Sequence, residues 1–405
     1  MITAIAWRNV WRQPTRTLLS VTGMSFTSML LVFMVSFQFG SYDTMKESML
    51  GINDGYGQFQ AEGYNDSPDM ATTLEQPYKI AERAREIGGI DAAAVRANGF
   101  GLLAHGERSF AAAIIGLDPE ADPQVAKIST MIKSGRPLQP DDDASIVLGE
   151  GLARNLRLEL GDQVTLLGSA VDGSVAADVL TLVGIFGAGV PELDRQIAQM
   201  PLSRFDETFF MEGTAHLVAV KGSDLPHVER KSGELENIAA EFGATYLSWD
   251  VLRPEVKQAI SLDQSTAILV YGTLVIVVVF VILNTLYMSV LERTREFGML
   301  LALGMKPAQI GRMVWVEMVF LSVLGAGSGI VLGIALTAYF QNVGIGIEGM
   351  GDVYAEWGLP SRFYPIMTIE RVLVGPVAIV GSIALLGIIP YRRVLRLEPV
   401  EAMAG

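Results

Sequence analysis

Four stretches without a single charged residue constrain this 405-residue chain more than any other feature. They cover residues 17–42, 264–291, 318–347 and 372–391, and the shortest has 20 positions. An α-helix rises about 1.5 Å per residue, so each stretch is long enough to cross the roughly 30 Å of bilayer hydrocarbon. Half of all residues are hydrophobic and only 18% are charged. The sequence therefore predicts an integral membrane α-helical protein with four transmembrane helices.

The charged residues between these stretches are unevenly distributed. Residues 41–263 contain 18 Lys and Arg against 35 Asp and Glu, whereas the rest of the chain contains 12 against 9. Because cytoplasmic flanks of membrane helices are enriched in Lys and Arg, both termini are expected in the cytoplasm. The acidic region would then be extracytoplasmic. Its charge argues against nucleic acid as a partner.

These patterns predict an order of segments along the chain. A short interfacial helix at 1–16 carries Arg8, Arg12 and Arg16 beside Trp7 and Trp11 at helical spacing, although a frayed basic leader remains an alternative. The other predicted segments are transmembrane helices at 17–42, 264–291, 312–347 and 372–391, an extracytoplasmic domain at 43–263, a cytoplasmic segment at 292–311, an outer loop at 348–371 and a cytoplasmic tail at 392–405.

The extracytoplasmic region shows a strand–helix–strand pattern twice. Strands are expected at 58–64, 92–103, 216–220 and 245–249, with helices at 77–87 and 224–242. The two units are far apart in the chain, which predicts one large α/β domain (43–116 and 215–263) interrupted by a β-rich insertion at 117–214. In the insertion, strands are expected at 144–148, 163–167 and 179–186, with short helices at 149–156 and 201–211.

Several chemistries find no support in the residues. The chain has no cysteine and no phosphate-binding loop of the form Gly-x-x-x-x-Gly-Lys-Ser/Thr. Its three histidines, His105, His216 and His227, lack the spacing of metal ligands, and His216 is interpreted as structural. Asp141, Asp142 and Asp143 could hold a divalent cation, but a solvated turn is favoured. No catalytic, cofactor-binding or metal-ligating residue is therefore predicted, and the chain is not expected to be an enzyme.

The segment after the second uncharged stretch is a candidate interaction site. It begins with charges of both signs and continues with Phe297, Leu300, Leu301 and Gly304 at helical spacing, which predicts a short helix with one apolar side. Gly304 and Pro307 predict that this helix ends and that another begins. In the third stretch, a ladder of small residues favours close helix packing and comprises Gly325, Gly329 and Gly333. Near its start, Glu317 either extends to the membrane boundary or forms an ion pair with Arg312.

The residues after the second stretch resemble the signature of the MacB/FtsX/LolCDE family of ABC-transporter permeases. Those that carry the likeness are Glu292, Arg293, Thr294, Arg295, Glu296, Phe297, Gly298, Leu303 and Gly304, followed by Gln309 and Ile310. The family's usual ending is similar to Arg392, Arg393, Arg396, Leu397, Glu398, Pro399, Val400, Glu401 and Ala402. Residues 146–153 and 160–162 resemble its extracytoplasmic domain. MacB carries a fused ATPase domain, whereas these 405 residues resemble the LolC/LolE-type arrangement with a separate ATPase.

This resemblance implies a mechanotransmission permease. A coupling helix, formed by the signature residues, would seat in a cytoplasmic ABC ATPase dimer that binds ATP and Mg. A second permease chain, identical or homologous, would pair with this one. A lipophilic cargo is implied, with release of lipoprotein or lipid from the inner membrane favoured and a periplasmic lipoprotein or adaptor as a further partner. Two alternatives stay open: an FtsX-like signalling scaffold that regulates an outer-face enzyme, and an exporter of peptides or hydrophobic drugs.

Overall fold

The computed structural model describes residues 2–12, 14–346, 348–356 and 358–396. Its helices are α1 (Ile2–Val10), α2 (Pro14–Ile52), α3 (Pro77–Arg85), α4 (Asp122–Val125), α5 (Glu150–Leu156), α6 (Pro191–Gln196), α7 (Leu202–Phe209), α8 (Leu225–Arg230), α9 (Ser232–Glu241), α10 (Trp249–Leu252), α11 (Pro254–Glu292), α12 (Thr294–Ala302), α13 (Pro307–Val343), α14 (Gly351–Glu356), α15 (Ile369–Leu386) and α16 (Ile388–Leu395). A 3-10 turn covers Ile128–Thr130.

The strands are β1 (Gly57–Gln60), β2 (Ile90–His105), β3 (Arg108–Leu117), β4 (Ile132–Gly135), β5 (Ser145–Gly149), β6 (Gln163–Ser169), β7 (Val175–Phe186), β8 (Ile197–Pro201), β9 (Leu217–Gly222) and β10 (Thr245–Ser248). The chain forms two compact units. We call them the membrane unit (Met1–Asp43, Ala259–Ile345 and Arg362–Gly405) and the sheet unit (Thr44–Gln258 and Gly346–Ser361).

Four helical segments of the described chain are long and apolar enough to cross a membrane: α2, α11, α13 and the combined α15–α16 segment. Three of them begin with a proline, at Pro14, Pro254 and Pro307, where the fixed φ of proline suits the first helical turn and its missing N–H leaves no hydrogen bond unmade. Both α2 and α11 have 39 residues, which exceeds the length that hydrocarbon alone requires. The boundary between the two units falls within each of these two helices.

The N-terminal helix α1 belongs to the core of the membrane unit. Ala6 and Val10 are buried there, and the Trp7 ring lies 5.8 Å from that of Phe320 on α13. The helix ends at Val10 and α2 begins at Pro14, so the expected single helix over 1–16 is divided in two. Arg8 and Arg16 therefore lie on different helices, and the arginines do not form the continuous stripe that their spacing predicts.

The sheet unit contains one sheet of ten strands with two parts. In the open part, the strand order is β10-β1-β9-β2, and all neighbours are antiparallel. Helices α3 and α9 connect β1 to β2 and β9 to β10, which is the split β-α-β arrangement. Apolar side chains from both helices, among them Ile80 and Leu235, are buried in the same core as Phe59 of β1. This part contains the two strand–helix–strand units that the sequence predicts.

The second part is a closed barrel. Strand β6 pairs with both β2 and β7, so the pairings β2-β3-β8-β5-β7-β6 return to β2. β2 has 16 residues, and along one edge it pairs first with β9 and then with β6, so it belongs to both parts. The β-rich insertion was expected at 117–214, but β2 and β3 lie largely outside those bounds and complete the barrel. Each of these six strands is therefore paired on both sides along at least part of its length, which limits the edge that is left open.

Other details of the prediction also change. The helix expected at 224–242 is two helices, α8 and α9, and three strands, β3, β4 and β8, were not predicted. The strand expected at 58–64 begins at Gly57 and ends at Gln60. The outer loop expected at 348–371 contains the short helix α14. The C-terminal family motif is described only as far as Arg396, and the remainder of the motif lies outside the described residues.

Candidate functional site

Helix α12 occupies the stretch that the sequence singled out, and its ends follow from local residues. Arg293 precedes it, and the Thr294 hydroxyl donates a hydrogen bond to the Leu291 carbonyl at 2.7 Å. Beyond its last turn, Gly304 has a φ of +95°, a conformation that side chains with a Cβ rarely adopt. The amide of Met305 then donates to the Leu300 carbonyl at 3.1 Å. Helix α12 thus ends before this glycine and α13 begins at Pro307, as the sequence predicts.

The apolar side of α12 faces the protein itself. Phe297 and Gly298 are buried, and Leu300 and Leu301 are half-buried against the core of the membrane unit. The sequence analysis predicted these residues as a surface that another protein would bind. Their burial is explained by the shortness of the helix, because a nine-residue helix gains most of its stability from packing its apolar side onto a larger body. A docking partner must therefore use the opposite side.

That opposite side is exposed and partly apolar. Arg295, Met299 and Leu303 follow one another at intervals of four residues, so they lie along one face of α12 and its C-terminal turn. Met299 is 52% exposed and Leu303 is 82% exposed. Exposed side chains of this size beside a cation form a small surface on which a partner can bury apolar area. We call these three residues the outer face of α12.

Two ion pairs connect the α12 region to the N-terminal helices of the membrane unit. The Arg16 guanidinium, in the first turns of α2, contacts both oxygens of Glu292 at 2.8 and 2.9 Å. Arg12, in the turn before α2, contacts Glu296 at 2.9 Å. Arg–carboxylate pairs with two parallel contacts fix orientation as well as distance. Because these side chains are partly exposed, we assign the pairs to orientation of α12 rather than to a large share of stability.

A third ion pair is largely shielded from water. Arg293 contacts both oxygens of Glu317 on α13, at 3.1 and 3.2 Å, and the two side chains are 13% and 14% exposed. Arg293 also lies 3.4 Å from Glu296 and 5.2 Å from the centre of the Phe297 ring. This arrangement holds the start of α12 against α13.

The partner proposed for Glu317 from the sequence was Arg312, and that assignment is wrong. Arg312 is exposed and forms no ion pair with any residue that the structure describes. The two residues are five positions apart on one helix, which places their side chains about 140° apart around its axis. Arg293 instead lies between α11 and α12, and spacing along one helix cannot reveal such a neighbour.

The glycine ladder of α13 lies against α2. A Cβ added at Gly325 would be 2.6 Å from the Cβ of Met24, and one at Gly333 would be 2.7 Å from that of Val32. At Gly329, it would collide with Ser28, whose hydroxyl donates to the Ala326 carbonyl at 3.1 Å. The three glycines and their three neighbours are each spaced by four residues. The two helices can approach this closely because α13 has no side chains along this line.

The polar groups considered for metal or catalytic chemistry have structural partners in the sheet unit. Asp142 contacts both terminal nitrogens of Arg136 at 2.6 Å, and this pairing lowers the pKa of the carboxyl group. The Nδ1 atom of His216 accepts a hydrogen bond from the Asn98 amide at 3.0 Å, and its Nε2 atom lies 3.2 Å from the Met70 carbonyl. Burial lowers the pKa of His216 to about 4, so its ring is neutral near pH 7.

The sequence analysis did not identify an apolar surface on the outside of the barrel. Leu102 of β2 pairs with Leu167 of β6, and directly paired residues share a face. Phe100, Val175 and Val179 lie on the same face by their alternation along β2 and β7. Phe100 is 71% exposed and Val175 is 74% exposed. Sequence patterns do not reveal such a surface. A strand that is apolar on both its buried and its exposed face has the same composition as a strand buried in a core.

Two protein-family models match the sequence of this chain. The family model described as the MacB-like periplasmic core domain matches residues 17–236, which is more than half of the chain. The model described as FtsX-like permease C-terminal matches residues 268–399. The chain belongs to the family of FtsX-like permeases with a MacB-like periplasmic core domain. In this FtsX-like permease, α12 and the whole of α13 lie inside the range matched by the FtsX-like model. Strands β1 to β9 lie inside the range matched by the core-domain model.

Individual relatives agree with this assignment. The FtsX-like permease is 24% identical over 408 residues to the lipoprotein-releasing system transmembrane protein LolC of Neisseria meningitidis, covering 96% of this chain and 93% of that protein. It is 24% identical to LolE of Haemophilus influenzae, covering 75% of each chain. It is also 30% identical over 146 residues to the macrolide export ATP-binding/permease protein MacB of Wolinella succinogenes, covering 35% of this chain and 20% of that protein. The chain is thus a permease of the Lol and MacB type.

Proposed function

We propose that this chain is the membrane subunit of an ATP-driven transporter in the bacterial inner membrane, with both termini in the cytoplasm. A separate cytoplasmic ATPase dimer binds ATP and Mg and docks on α12. A second permease chain completes the assembly. Displacement of α12 passes through the membrane unit to the sheet unit, which handles a lipophilic cargo on the outer side of the membrane.

The observation that carries this proposal is the division of α12 into two sides. Its inner side is held by the buried Phe297 and by the Arg293–Glu317 ion pair, while its outer side exposes Met299 and Leu303. A helix that is anchored on one side and free on the other can be pushed as a body. A loosely attached helix would move by itself and would not displace the helices around it.

The anchoring contacts define where a push on α12 would go. Arg293 joins α12 to α13 through Glu317, and Arg16 joins the end of α11 to α2 through Glu292. α2 and α11 are unbroken over 39 residues each, and a continuous helix transmits displacement along its axis because its hydrogen bonds resist compression. Both helices contribute residues to the two units, so they are the elements that we assign to mechanical transmission.

Docking on α12 is tested by truncating its outer face. We expect Leu303→Ala to weaken binding of the ATPase about tenfold or more, because burial of one Leu side chain contributes about 1.5–3 kcal/mol. The measurement is recovery of the ATPase, and its hydrolysis rate, when affinity-tagged permease is purified from mild detergent. Leu160→Ala is the matched control, since Leu160 is 47% exposed in a turn of the sheet unit. Equal recovery with both variants would contradict docking on this face.

The lipophilic cargo is supported by the apolar outer surface of the barrel and by the LolC and LolE relatives. Contiguous exposed Phe, Leu and Val side chains suit acyl chains, which offer no hydrogen bonds and are expelled from water. Release of lipoproteins from the inner membrane is therefore the favoured activity. The MacB relative favours export of a hydrophobic small molecule as a second candidate.

A photoreactive amino acid in place of Phe100 separates these candidates. Under turnover conditions in native membranes, we expect crosslinks to lipid or lipoprotein at position 100. Tyr78, 56% exposed on α3, serves as the control position and should give few. A stoichiometric soluble enzyme captured without lipid would instead favour a signalling scaffold. Displacement of the crosslinks by a hydrophobic drug would favour the export candidate.

A further inference from the structure

A polar cavity lies inside the membrane unit, among α1, α2, α11, α12 and α13. Its volume is about 180 Å³, and three arginines line it: Arg12, Arg16 and Arg293. Their ion pairs bring these side chains together but leave space among them. Sites for drug-sized ligands measure about 300–1,000 Å³, so this cavity suits a small polar group rather than the cargo or a nucleotide.

The cavity is open on one side and closed on the other. Arg12 and Glu296 line the open side, where their side chains are 64% and 40% exposed. Val10 and Leu321 also line the cavity, and both are buried. A ligand can therefore enter beside Arg12, and the walls that it meets farther in are partly apolar.

The cavity lies where the uncharged helices meet their charged flanks. The uncharged stretch of α2 begins directly after Arg16, and that of α11 ends directly before Glu292. Ser20 and Leu286, on the uncharged side of this boundary, also line the cavity. Headgroup phosphates of a bilayer lie at such a boundary, outside the roughly 30 Å of hydrocarbon. The cavity is thus at the depth of a lipid headgroup.

Two of the arginines keep N–H groups available for a ligand. A guanidinium has five N–H donors in a planar arrangement. Among the described residues, Arg12 donates to Glu296 through one terminal nitrogen, and Arg16 donates to Glu292 through two. Most of the N–H groups of these two side chains therefore remain available to another acceptor.

Ser20 gives an independent indication of a ligand. Its side chain lines the cavity and is 5% exposed, and its hydroxyl forms no hydrogen bond with any residue that the structure describes. Ser20 follows Arg16 by four residues, so the two side chains lie on the same face of α2. A buried hydroxyl without a partner is unfavourable unless water or a ligand bonds to it.

The charge around the cavity favours an anion. The helix ends on this side of the membrane unit, residues 2–16, 292–317 and 387–396, contain ten Lys and Arg against three Glu. The cavity itself is lined by three Arg and by Glu296 and Glu317, both of which contact arginines. The N-terminus of α2 adds a partial positive charge, which also favours a bound oxyanion.

We propose that this cavity binds the phosphate group of an anionic phospholipid, with Arg12, Arg16 and Ser20 as its hydrogen-bond donors. Arginine suits this role because its planar fork matches two phosphate oxygens. Basic pockets between membrane helices bind anionic headgroups in the same way. Because Arg12 and Arg16 also hold Glu296 and Glu292, the bound lipid fixes the orientation of α12. The proposal is independent of ATPase docking and of the cargo.

Lipid binding is measured by native mass spectrometry of the full-length chain in detergent, titrated with phosphatidylglycerol or phosphatidylcholine. We expect phosphatidylglycerol to bind about tenfold more tightly or better, and Arg12→Met to weaken its binding about tenfold, because charge-assisted hydrogen bonds to phosphate are lost. Arg312→Met is the matched control, since Arg312 is exposed on α13 and does not line the cavity. Equal losses in both variants would show general attraction to basic residues and would overturn the proposal.

Two variants at Ser20 test the cavity itself. Ser20→Leu fills the space and keeps all three arginines, so it should abolish the preference for phosphatidylglycerol. Ser20→Ala removes only the hydroxyl and should weaken binding about threefold. Thermal unfolding shows whether each variant is folded. Unchanged binding by folded Ser20→Leu overturns the proposal, and if that variant does not fold, unchanged binding by Ser20→Ala overturns it.

Inorganic phosphate distinguishes a lipid from a soluble anion. We expect it to displace phosphatidylglycerol only at millimolar concentrations, because free phosphate has no acyl chains to pack on the apolar helices beside the cavity. Displacement at micromolar concentrations, lost in Ser20→Leu, would show that the cavity takes a soluble phosphate and would overturn the assignment to a lipid.

Discussion

The partly buried Arg293–Glu317 ion pair predicts unequal effects of removing its two partners. Arg293→Met leaves the Glu317 carboxylate at 14% exposure without the only cation that it contacts among the described residues. Removal of one partner of a buried pair costs about 3–5 kcal/mol, and partial access to water reduces this to about 3 kcal/mol. Glu317→Gln should cost only about 1 kcal/mol, because Arg293 keeps its contact with Glu296 at 3.4 Å.

The double variant Arg293→Met/Glu317→Gln buries no charge, so it should be about 2 kcal/mol less destabilised than the sum of the single variants. The assay is denaturant titration of the purified chain in bicelles at pH 7, followed by tryptophan fluorescence. Arg12→Met is the control, because Arg12 is 64% exposed and its pair with Glu296 should contribute less than about 1 kcal/mol. The reasoning fails if the two single effects add, or if Arg293→Met is no more destabilising than Arg12→Met.

Two further predictions concern packing and pH. Gly329→Val should destabilise the chain by about 3 kcal/mol, because its Cβ collides with Ser28. Gly327→Val should be tolerated, because a Cβ there meets no atom of another helix or loop within 4 Å among the described residues. The same denaturant titration compares the two variants. The pKa of His216 is about 4 in the fold, below its ordinary value of 6.5, so the neutral ring is favoured and stability falls as the pH drops from 6.5 to 4. The loss in the free energy of unfolding should reach about 3 kcal/mol. In thermal unfolding measured at stepwise lower pH, His216→Gln should remove this part of the dependence of stability on pH. An unchanged dependence would show that His216 is not responsible.

Much of the architecture could be predicted from the sequence because it depends on local patterns. The absence of charge over at least 20 residues specifies a membrane helix without reference to any other segment. Gly304 predicts a left-handed turn by itself, and its φ of +95° agrees. The two strand–helix–strand units are likewise visible in periodicity. These features need no knowledge of which distant residues meet.

The barrel and the ion pairs could not be predicted in the same way. β6 closes the barrel by pairing with β2, which lies about 60 residues earlier in the chain, and strand periodicity does not specify such a partner. Arg293, not the nearer Arg312, pairs with Glu317 because the turn after α11 brings Arg293 to α13. Only the tertiary structure shows whether a residue pairs with one that is near in sequence or with one that is distant in sequence.

The stretch 292–304 shows both limits most clearly. Its sequence alone determined a short helix, charged at its start and ended by glycine, because capping and helical periodicity are local properties. The side of the helix that remains available was decided by packing: Phe297 is buried in the core of the membrane unit, and Leu303 is left 82% exposed. The physical reason is that both sides carry apolar residues, and which of them loses contact with water depends on the helices against which α12 lies.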